Sequence, residues 1–162
     1  MAIRRYSKLN LKKIRINKKS NIFIRSNIVE ISLPKNQSIN DKISKLFSIV
    51  DFSQGDLLNV IYGNYEILIL ISGNHLDFLK KSFPKFKNKI KKRLASVTIK
   101  IPPSVLNIPG FYYSITKSLM LENISIIDIV NTRNEASIIV KENDIPKTFE
   151  KLSKEIIIEF FK

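Results

Sequence analysis

The order of the predicted secondary-structure elements is the feature that most constrains this chain, because the same order occurs twice. Apolar residues at alternate positions predict strands, and apolar residues three or four positions apart predict helices. These patterns give strand, helix, a hairpin of two strands, helix and strand in residues 21–93 and again in 94–162. Two amphipathic helices that cover one face of a four-stranded antiparallel sheet provide a core for such a unit. The sequence therefore predicts an α+β protein of two tandem βαββαβ units, the ferredoxin-like arrangement, after a basic segment at 1–20.

The first unit has clear local signals. Ser38 and Asn74 are the predicted N-caps of its two helices, and Gly63-Asn64 predicts the hairpin turn. Pro34 ends the first extended segment, which is either two short strands or one kinked strand, and Pro84 ends the second helix. The predicted strands lie at 22–24 with 28–33, at 57–62 and at 66–71, and the predicted helices lie at 39–49 and 75–83.

The second unit repeats this order with little sequence similarity. Asn143 or Asp144 is expected to cap its second helix, with Pro146 in the first turn. Ile and Phe residues favour a strand at the end of the chain. The predicted strands lie within 87–101, at 124–130, at 137–140 and at 156–161, and the first helix lies at 111–122. Ahead of both units, residues 2–13 predict a short basic helix.

The turn Asn107-Ile108-Pro109-Gly110 precedes the predicted helix 111–122. Glycine leaves the backbone exposed, and a helix N-terminus presents unpaired N–H groups and a partial positive charge that suit a carboxylate. The α-carboxylate of an amino acid would dock there, and Asn107, Asn131 or Glu135 would accept hydrogen bonds from its ammonium group. The alternative is that Pro109-Gly110 only turns the chain and starts the helix.

Residues 94–161 resemble the ACT domain family, in which a Pro-Gly turn often precedes the first helix. The stretch IIDIVNTRNEASIIV at 126–140 resembles the regulatory region of aspartokinases. In that family, small ligands bind beside this turn where it meets a neighbouring unit. The resemblance implies a regulatory, amino-acid-binding protein without a catalytic domain. It implies ligand-binding positions at Asn107, Ile108, Pro109, Gly110, Asn131, Thr132 and Glu135.

The first unit, 21–93, resembles a more divergent copy of the same domain. The segment Arg4-Arg5-Tyr6 precedes the two units, and no kinase domain accompanies them. This combination resembles small archaeal stand-alone ACT-domain proteins. The resemblance gives the fold of the first unit but no particular ligand.

Positive charge is concentrated in the first 100 residues, which hold 21 Lys and Arg against six Asp and Glu. Two runs without acidic residues, 1–19 and 80–93, carry most of it. Such runs attract polyanions, so a nucleic-acid-binding module is the alternative function. An AT-rich genome, which favours Lys codons, would produce the same composition. The residues that would contact nucleic acid are Arg4, Arg5, Lys12, Lys13, Lys87, Lys89, Lys91, Lys92 and Arg93.

Residue types argue against catalysis. The chain has no cysteine, and its single histidine, His75, is expected to be a surface or capping residue. Neither a phosphate-binding glycine loop nor a His-carboxylate cluster for a transition metal occurs. We therefore expect a protein that is not an enzyme and has no cofactor or metal. We expect it to be soluble and cytoplasmic, without a membrane segment, and to dimerise through sheet edges or helices.

Overall fold

The structure, a computed structural model, describes residues 11–16, 22–105, 109–153 and 156–161. Residues 1–10 hold most of the helix predicted over 2–13 and lie outside the described residues. The remainder of that prediction is wrong, because residues 11–13 belong to a strand. Asn107 and Ile108 also lie outside the described residues.

The described residues form eight strands and four α-helices. The strands are β1 (Leu11–Ile16), β2 (Ile22–Pro34), β3 (Leu58–Tyr62), β4 (Glu66–Ser72), β5 (Ile90–Lys100), β6 (Asp128–Asn131), β7 (Glu135–Lys141) and β8 (Ile156–Phe161). The α-helices are α1 (Gln37–Ile49), α2 (Leu76–Ser82), α3 (Phe111–Met120) and α4 (Ile145–Ser153). Short 3-10 turns precede α2 and α4, at Gly73–His75 and Glu142–Asp144.

Six strands form one sheet in the order β3-β4-β2-β5-β7-β6, and β1 pairs with β8. Each strand pair with a described register is antiparallel: β1 with β8, β2 with β4, β3 with β4, and β6 with β7. The predicted α+β class with antiparallel strands and helices is therefore confirmed. The described strands form one six-stranded sheet and a separate pair, whereas the sequence predicts two four-stranded sheets.

Strand β2 is one irregular strand, the second of the two alternatives that the sequence left open. Asn27, in its middle, has φ 54°, in the left-handed region that Asn tolerates better than most residues. Its side chain donates a hydrogen bond to Oδ1 of Asn74 at 3.2 Å. Gly73 lies directly against this side chain, and a Cβ atom at position 73 would overlap it. A larger residue at position 73 would therefore displace the Asn27 side chain from this position.

The chain divides into two compact units. The continuous unit is Arg25–Ala95. The discontinuous unit comprises Ser96–Lys162 together with the described residues of Met1–Ile24. Both boundaries lie inside long strands, β2 and β5, so each of these strands contributes to both units. The division predicted from sequence, at 1–20, 21–93 and 94–162, stays a prediction.

Each unit has its own core, in which alternate strand residues meet the apolar sides of two helices. In the continuous unit, β2 and β4 pack against α1 and α2 through Val29, Ile31, Leu33, Ile67, Ile69, Ile71, Ile39, Ile43, Leu46 and Leu79. In the discontinuous unit, β5 and β7 pack against α3 and α4 through Val97, Ile99, Ala136, Ile138, Val140, Ile115, Leu119 and Leu152. The helices of each unit thus cover one face of its strands.

The helix caps differ from those predicted. Asn36, not Ser38, caps α1: its side chain accepts a hydrogen bond from the amide of Ile39 at 3.0 Å. Asn74 does not cap α2, because it lies in the 3-10 turn and its Oδ1 accepts the bond from Asn27. The remaining differences are at element ends, since α3 stops at Met120 and β6 starts at Asp128.

Two neighbouring residues of α1 test this assignment of the core. Leu46 is fully buried and Phe47 is more than half exposed. We expect Leu46→Ala to lower the free energy of unfolding by about 2–5 kcal/mol, because it removes buried atoms and leaves a cavity. Phe47→Ala removes a larger side chain but should lower the free energy of unfolding by less, because that side chain is exposed. Urea unfolding followed by circular dichroism measures both, and an equal cost would contradict the assignment.

Candidate functional site

A cavity of about 350 Å³ lies beside the predicted Pro-Gly turn in the discontinuous unit. It is lined by Ile101, Val105, Pro109, Gly110, Phe111, Tyr112 and Tyr113. Ile101, Val105 and Phe111 also belong to the core of this unit. The cavity is therefore an opening at the border of the core, between the segment that follows β5 and the first turn of α3.

The start of α3 is built on Gly110, whose φ of 95° and ψ of 0° place it in the left-handed region. Glycine adopts this conformation without steric strain, whereas in most other residues the Cβ atom clashes with the backbone. The carbonyl oxygen of Gly110 accepts hydrogen bonds from the amide of Ser114 at 2.9 Å and from the Ser114 hydroxyl at 3.0 Å. Because Gly110 has no side chain, it cannot cap the N–H groups of the first turn.

The helix that occupies the same place in the continuous unit starts differently. There, Asn36 precedes α1, and its own side-chain oxygen accepts from the first turn. The role that a ligand carboxylate would have at the start of α3 is thus taken at α1 by a residue of the chain. Of the two helix starts, the one at Gly110 adjoins the cavity and has no side-chain cap from its N-cap residue.

The hairpin between β6 and β7 carries the other predicted ligand-binding residues. Asn131, Thr132 and Glu135 are exposed, and none of them lines the cavity. The amide of Thr132 donates to the carbonyl of Glu135 at 2.9 Å, which closes the turn. The carbonyl of Asn134 accepts from the amide of Ile101 at 2.7 Å. The structure therefore connects the hairpin to a residue of the cavity wall, without bringing these three side chains into the cavity.

Sequence reasoning missed the aromatic wall of the cavity. Tyr112 and Tyr113 line it together with Phe111, and the rings of Phe111 and Tyr112 meet edge to face with centroids 5.1 Å apart. The helical spacing of Phe111, Ile115 and Leu119 assigns those three residues to the core, as the structure confirms. The same spacing places Tyr112 and Tyr113 outside the core and directly after the turn. This position could have identified them as candidate ligand-binding residues.

His75 is part of a polar network in the continuous unit, and so is not merely a surface residue. Its Nε2 lies 2.6 Å from Oδ2 of Asp56, and both side chains are largely buried. The same oxygen of Asp56 accepts from the amide of Asp51 at 3.1 Å. The hydrogen bond from His75, followed by that from Asp51, holds the pKa of Asp56 below its ordinary value. The pair links the loop after α1 to the turn before α2.

The basic residues of the alternative function are only partly described. Arg4 and Arg5 lie outside the described residues, and Lys12 and Lys13 belong to β1, whose side chains are not described. Lys87, Lys89, Lys91, Lys92 and Arg93 are all exposed.

Among the described residues, no group of three or more His, Cys, Asp or Glu side chains could hold a metal ion. In the same part of the chain, none of the helices has the length and apolar character needed to cross a membrane.

The fold is similar to that of several solved proteins. An aspartate kinase from Clostridium acetobutylicum matches with a TM-score of 0.66 and 17% identity, over 82% of this chain and 34% of that one. The regulatory subunit of aspartate kinase from Thermus flavus matches with 0.61 and 11% identity, over 81% and 94%. A putative C-terminal regulatory domain of aspartate kinase from Porphyromonas gingivalis W83 matches with 0.59 and 17% identity, over 86% and 99%.

These similarities define a class of fold. The chain is an α+β protein with the fold of aspartate kinase regulatory domains, and the resemblance to ACT domains is confirmed at that level. It spans about a third of the length of the Clostridium enzyme and nearly all of the two regulatory proteins. No protein-family model matches the chain, and no curated protein sequence matches it.

The conformation of Gly110 predicts the effect of substituting it. Gly110→Ala should lower the free energy of unfolding by about 1–2 kcal/mol, because alanine pays for a left-handed backbone. Gly110→Asn is the matched variant and should cost less, since Asn adopts this region more readily. Thermal and urea unfolding of the two variants compare these costs. If the two variants lose the same free energy of unfolding, the left-handed backbone conformation does not determine which residues position 110 tolerates.

The lowered pKa of Asp56 predicts a pH dependence of stability. A carboxyl group whose pKa is lower in the folded state stabilises the fold above its unfolded pKa, and this contribution is lost as pH falls through the folded pKa. The free energy of unfolding should therefore decrease between about pH 5 and pH 2, and Asp56→Asn should show a smaller decrease. Glu66→Gln, at an exposed site without a charged partner among the described residues, is the control and should change the dependence less than Asp56→Asn. Urea unfolding at a series of pH values measures it.

Proposed function

We propose that this protein is a regulatory protein without a catalytic domain that binds a free amino acid in the cavity beside Pro109 and Gly110. The observation that carries the proposal is the cavity of about 350 Å³ at a helix start whose N-cap has no side chain. The fold supports it as well, because similar solved proteins include regulatory subunits of aspartate kinases.

The size and lining of the cavity favour a particular ligand chemistry. Ligand pockets range from about 300 to 1,000 Å³, so this cavity fits a small metabolite. The first-turn N–H groups of α3 suit a carboxylate, while Ile101, Val105 and Phe111 suit an apolar group. None of the described residues that line it is charged. These properties together favour an amino acid with an apolar side chain over an acidic or basic one.

The ammonium group of such a ligand needs hydrogen-bond acceptors. In the proposal Asn131 and Glu135 supply them from the hairpin, which the bond between Ile101 and Asn134 holds beside the cavity wall. Thr132, and Asn107 and Ile108 before the turn, complete the proposed ligand-binding set. A ligand that bridges α3 and the hairpin would stabilise both.

We also propose that the two units are tandem ACT-type units and that the protein acts in the cytoplasm as a homodimer. The repeated element order supports the first point. Strands β3 and β6 lie at the two edges of the six-stranded sheet, and neither contains Lys, Arg or Pro, the residues that usually protect an edge from pairing. Pairing of such edges between two copies would form the dimer.

Two tyrosines provide a matched test of ligand binding. Tyr113 lines the cavity and is 63% exposed, whereas Tyr65 is 93% exposed and lies in the hairpin of the other unit. An apolar amino acid at about 100 times its dissociation constant should stabilise the protein by about 2.7 kcal/mol. Tyr113→Ala should weaken binding about tenfold, or ~1.4 kcal/mol, and Tyr65→Ala should leave it unchanged.

Thermal-shift screening of the twenty amino acids identifies the ligand, and calorimetric titration of both variants gives the dissociation constants. If no amino acid raises the unfolding temperature, the proposed function is wrong. If one does, but Tyr65→Ala and Tyr113→Ala weaken it equally, the ligand binds elsewhere.

A further inference from the structure

A strip of cationic side chains runs from the end of α2 to the start of β5 in the continuous unit. Residues 80–93 contain eight Lys and Arg and no Asp or Glu. We call these eight residues the basic strip: Lys80, Lys81, Lys85, Lys87, Lys89, Lys91, Lys92 and Arg93. The 3-10 segment Pro84–Lys89 forms its centre.

Apolar residues within this segment hold the basic strip in place. Phe83 is buried in the core, and Phe86 and Ile90 pack against it. Between them, Lys87 and Lys89 are exposed, and Nζ of Lys89 lies 5.8 Å from the centre of the Phe86 ring. The spacing of the anchors therefore directs the cations to solvent from a fixed backbone.

The cations of the strip are mostly without acidic partners. Lys80 pairs with Asp77 at 3.1 Å, and Lys91 pairs with the buried Glu30 at 2.6 Å. The other six have no carboxylate partner among the described residues. Even Lys91 remains 58% exposed. Because like charges held close together repel, this arrangement is most stable with an anion bound to it.

Arg93 is held in an unfavourable backbone conformation. Its φ is 55°, in the left-handed region, although it lies inside strand β5 and is not glycine. An irregular residue in a strand changes the direction of its side chain, and such strained positions cluster at functional sites. The exposed guanidinium group at the end of the strip is thus maintained at a cost in backbone energy.

From these features we infer that the basic strip binds nucleic acid through its phosphate backbone, without reading base sequence. Seven of the eight cations are lysines, which contact phosphates as point charges, whereas Arg is the commoner reader of base edges. Two aromatic residues lie between them: Phe83 is buried in the core, and Phe86 is partly buried against it, so neither is a fully exposed ring of the kind on which bases stack. A run of exposed cations dominated by lysine suits the closely spaced phosphates of a duplex.

Salt dependence of binding tests this inference. The probe is a fluorescently labelled DNA duplex of mixed sequence, titrated by anisotropy at several KCl concentrations. The logarithm of the association constant should fall linearly with the logarithm of salt concentration, by about 0.9 for each phosphate contact. A triple substitution, Lys85→Gln with Lys87→Gln and Lys89→Gln, should reduce that slope by up to about 2.7.

A second triple substitution distinguishes the effect of the basic strip from the effect of the protein's total charge. Lys45→Gln, Lys141→Gln and Lys147→Gln remove the same charge from exposed sites outside residues 80–93, and should change the slope much less. Equal effects of the two triples would overturn the inference, because total charge would then explain binding. Absence of duplex binding, with or without binding of polyglutamate, would overturn it too. The single substitution Lys87→Glu repeats the test with one exposed side chain and should weaken binding more than Lys45→Glu.

Discussion

Burial of one face of the long strands under the helices determines where every other feature of this protein lies. In the discontinuous unit, β5 ends at Lys100 and the next residue, Ile101, is still in the core. Phe111, at the start of α3, is in the same core. The intervening chain must return from sheet to helix, and Pro109-Gly110 makes the last turn. Ile101 and Phe111 both belong to the core and line the cavity, so the packing that stabilises the unit also shapes the cavity.

The two units use the same helix start in different ways. Asn36 caps α1 with its own side chain, which accepts a hydrogen bond from one N–H group of the first turn. Gly110 takes the equivalent place before α3 and contributes only backbone. A helix start without a side-chain cap is less stable alone, and it gains most from a ligand that supplies an acceptor oxygen. The difference between Asn and Gly at one position therefore separates a helix start that the chain caps itself from the one at which we propose a ligand.

Local signals were sufficient for most elements of the fold. The Gly63-Asn64 hairpin, the helix face of Ile39, Ile43 and Leu46, and the last strand at Ile156–Phe161 all follow from neighbouring residues. Features that depend on distant residues could not be predicted in this way. The pairing of His75 with Asp56, 19 residues earlier, and the joining of six strands in one sheet need contacts that no local pattern specifies. The cap at Asn36 was missed for a different reason, because Ser38 is an equally good capping residue by type.

The two proposed sites differ in charge, and this difference implies different ligands. The part of the cavity lining that the structure describes has no charged residue, so the proposed site would select a small molecule by shape and by the polarity of a helix start. The basic strip is made mostly of exposed lysines on one segment of the chain, so the proposed contacts to phosphates would select by charge. Strand β5 begins at Ile90, within the strip, and ends at Lys100, directly before Ile101 in the cavity wall, so it is the direct covalent connection between them. If the amino acid changes the affinity for nucleic acid, linkage requires nucleic acid to change the affinity for the amino acid by the same factor. Titration of each ligand in the presence of the other would then reveal whether the strand couples the two sites or only joins them.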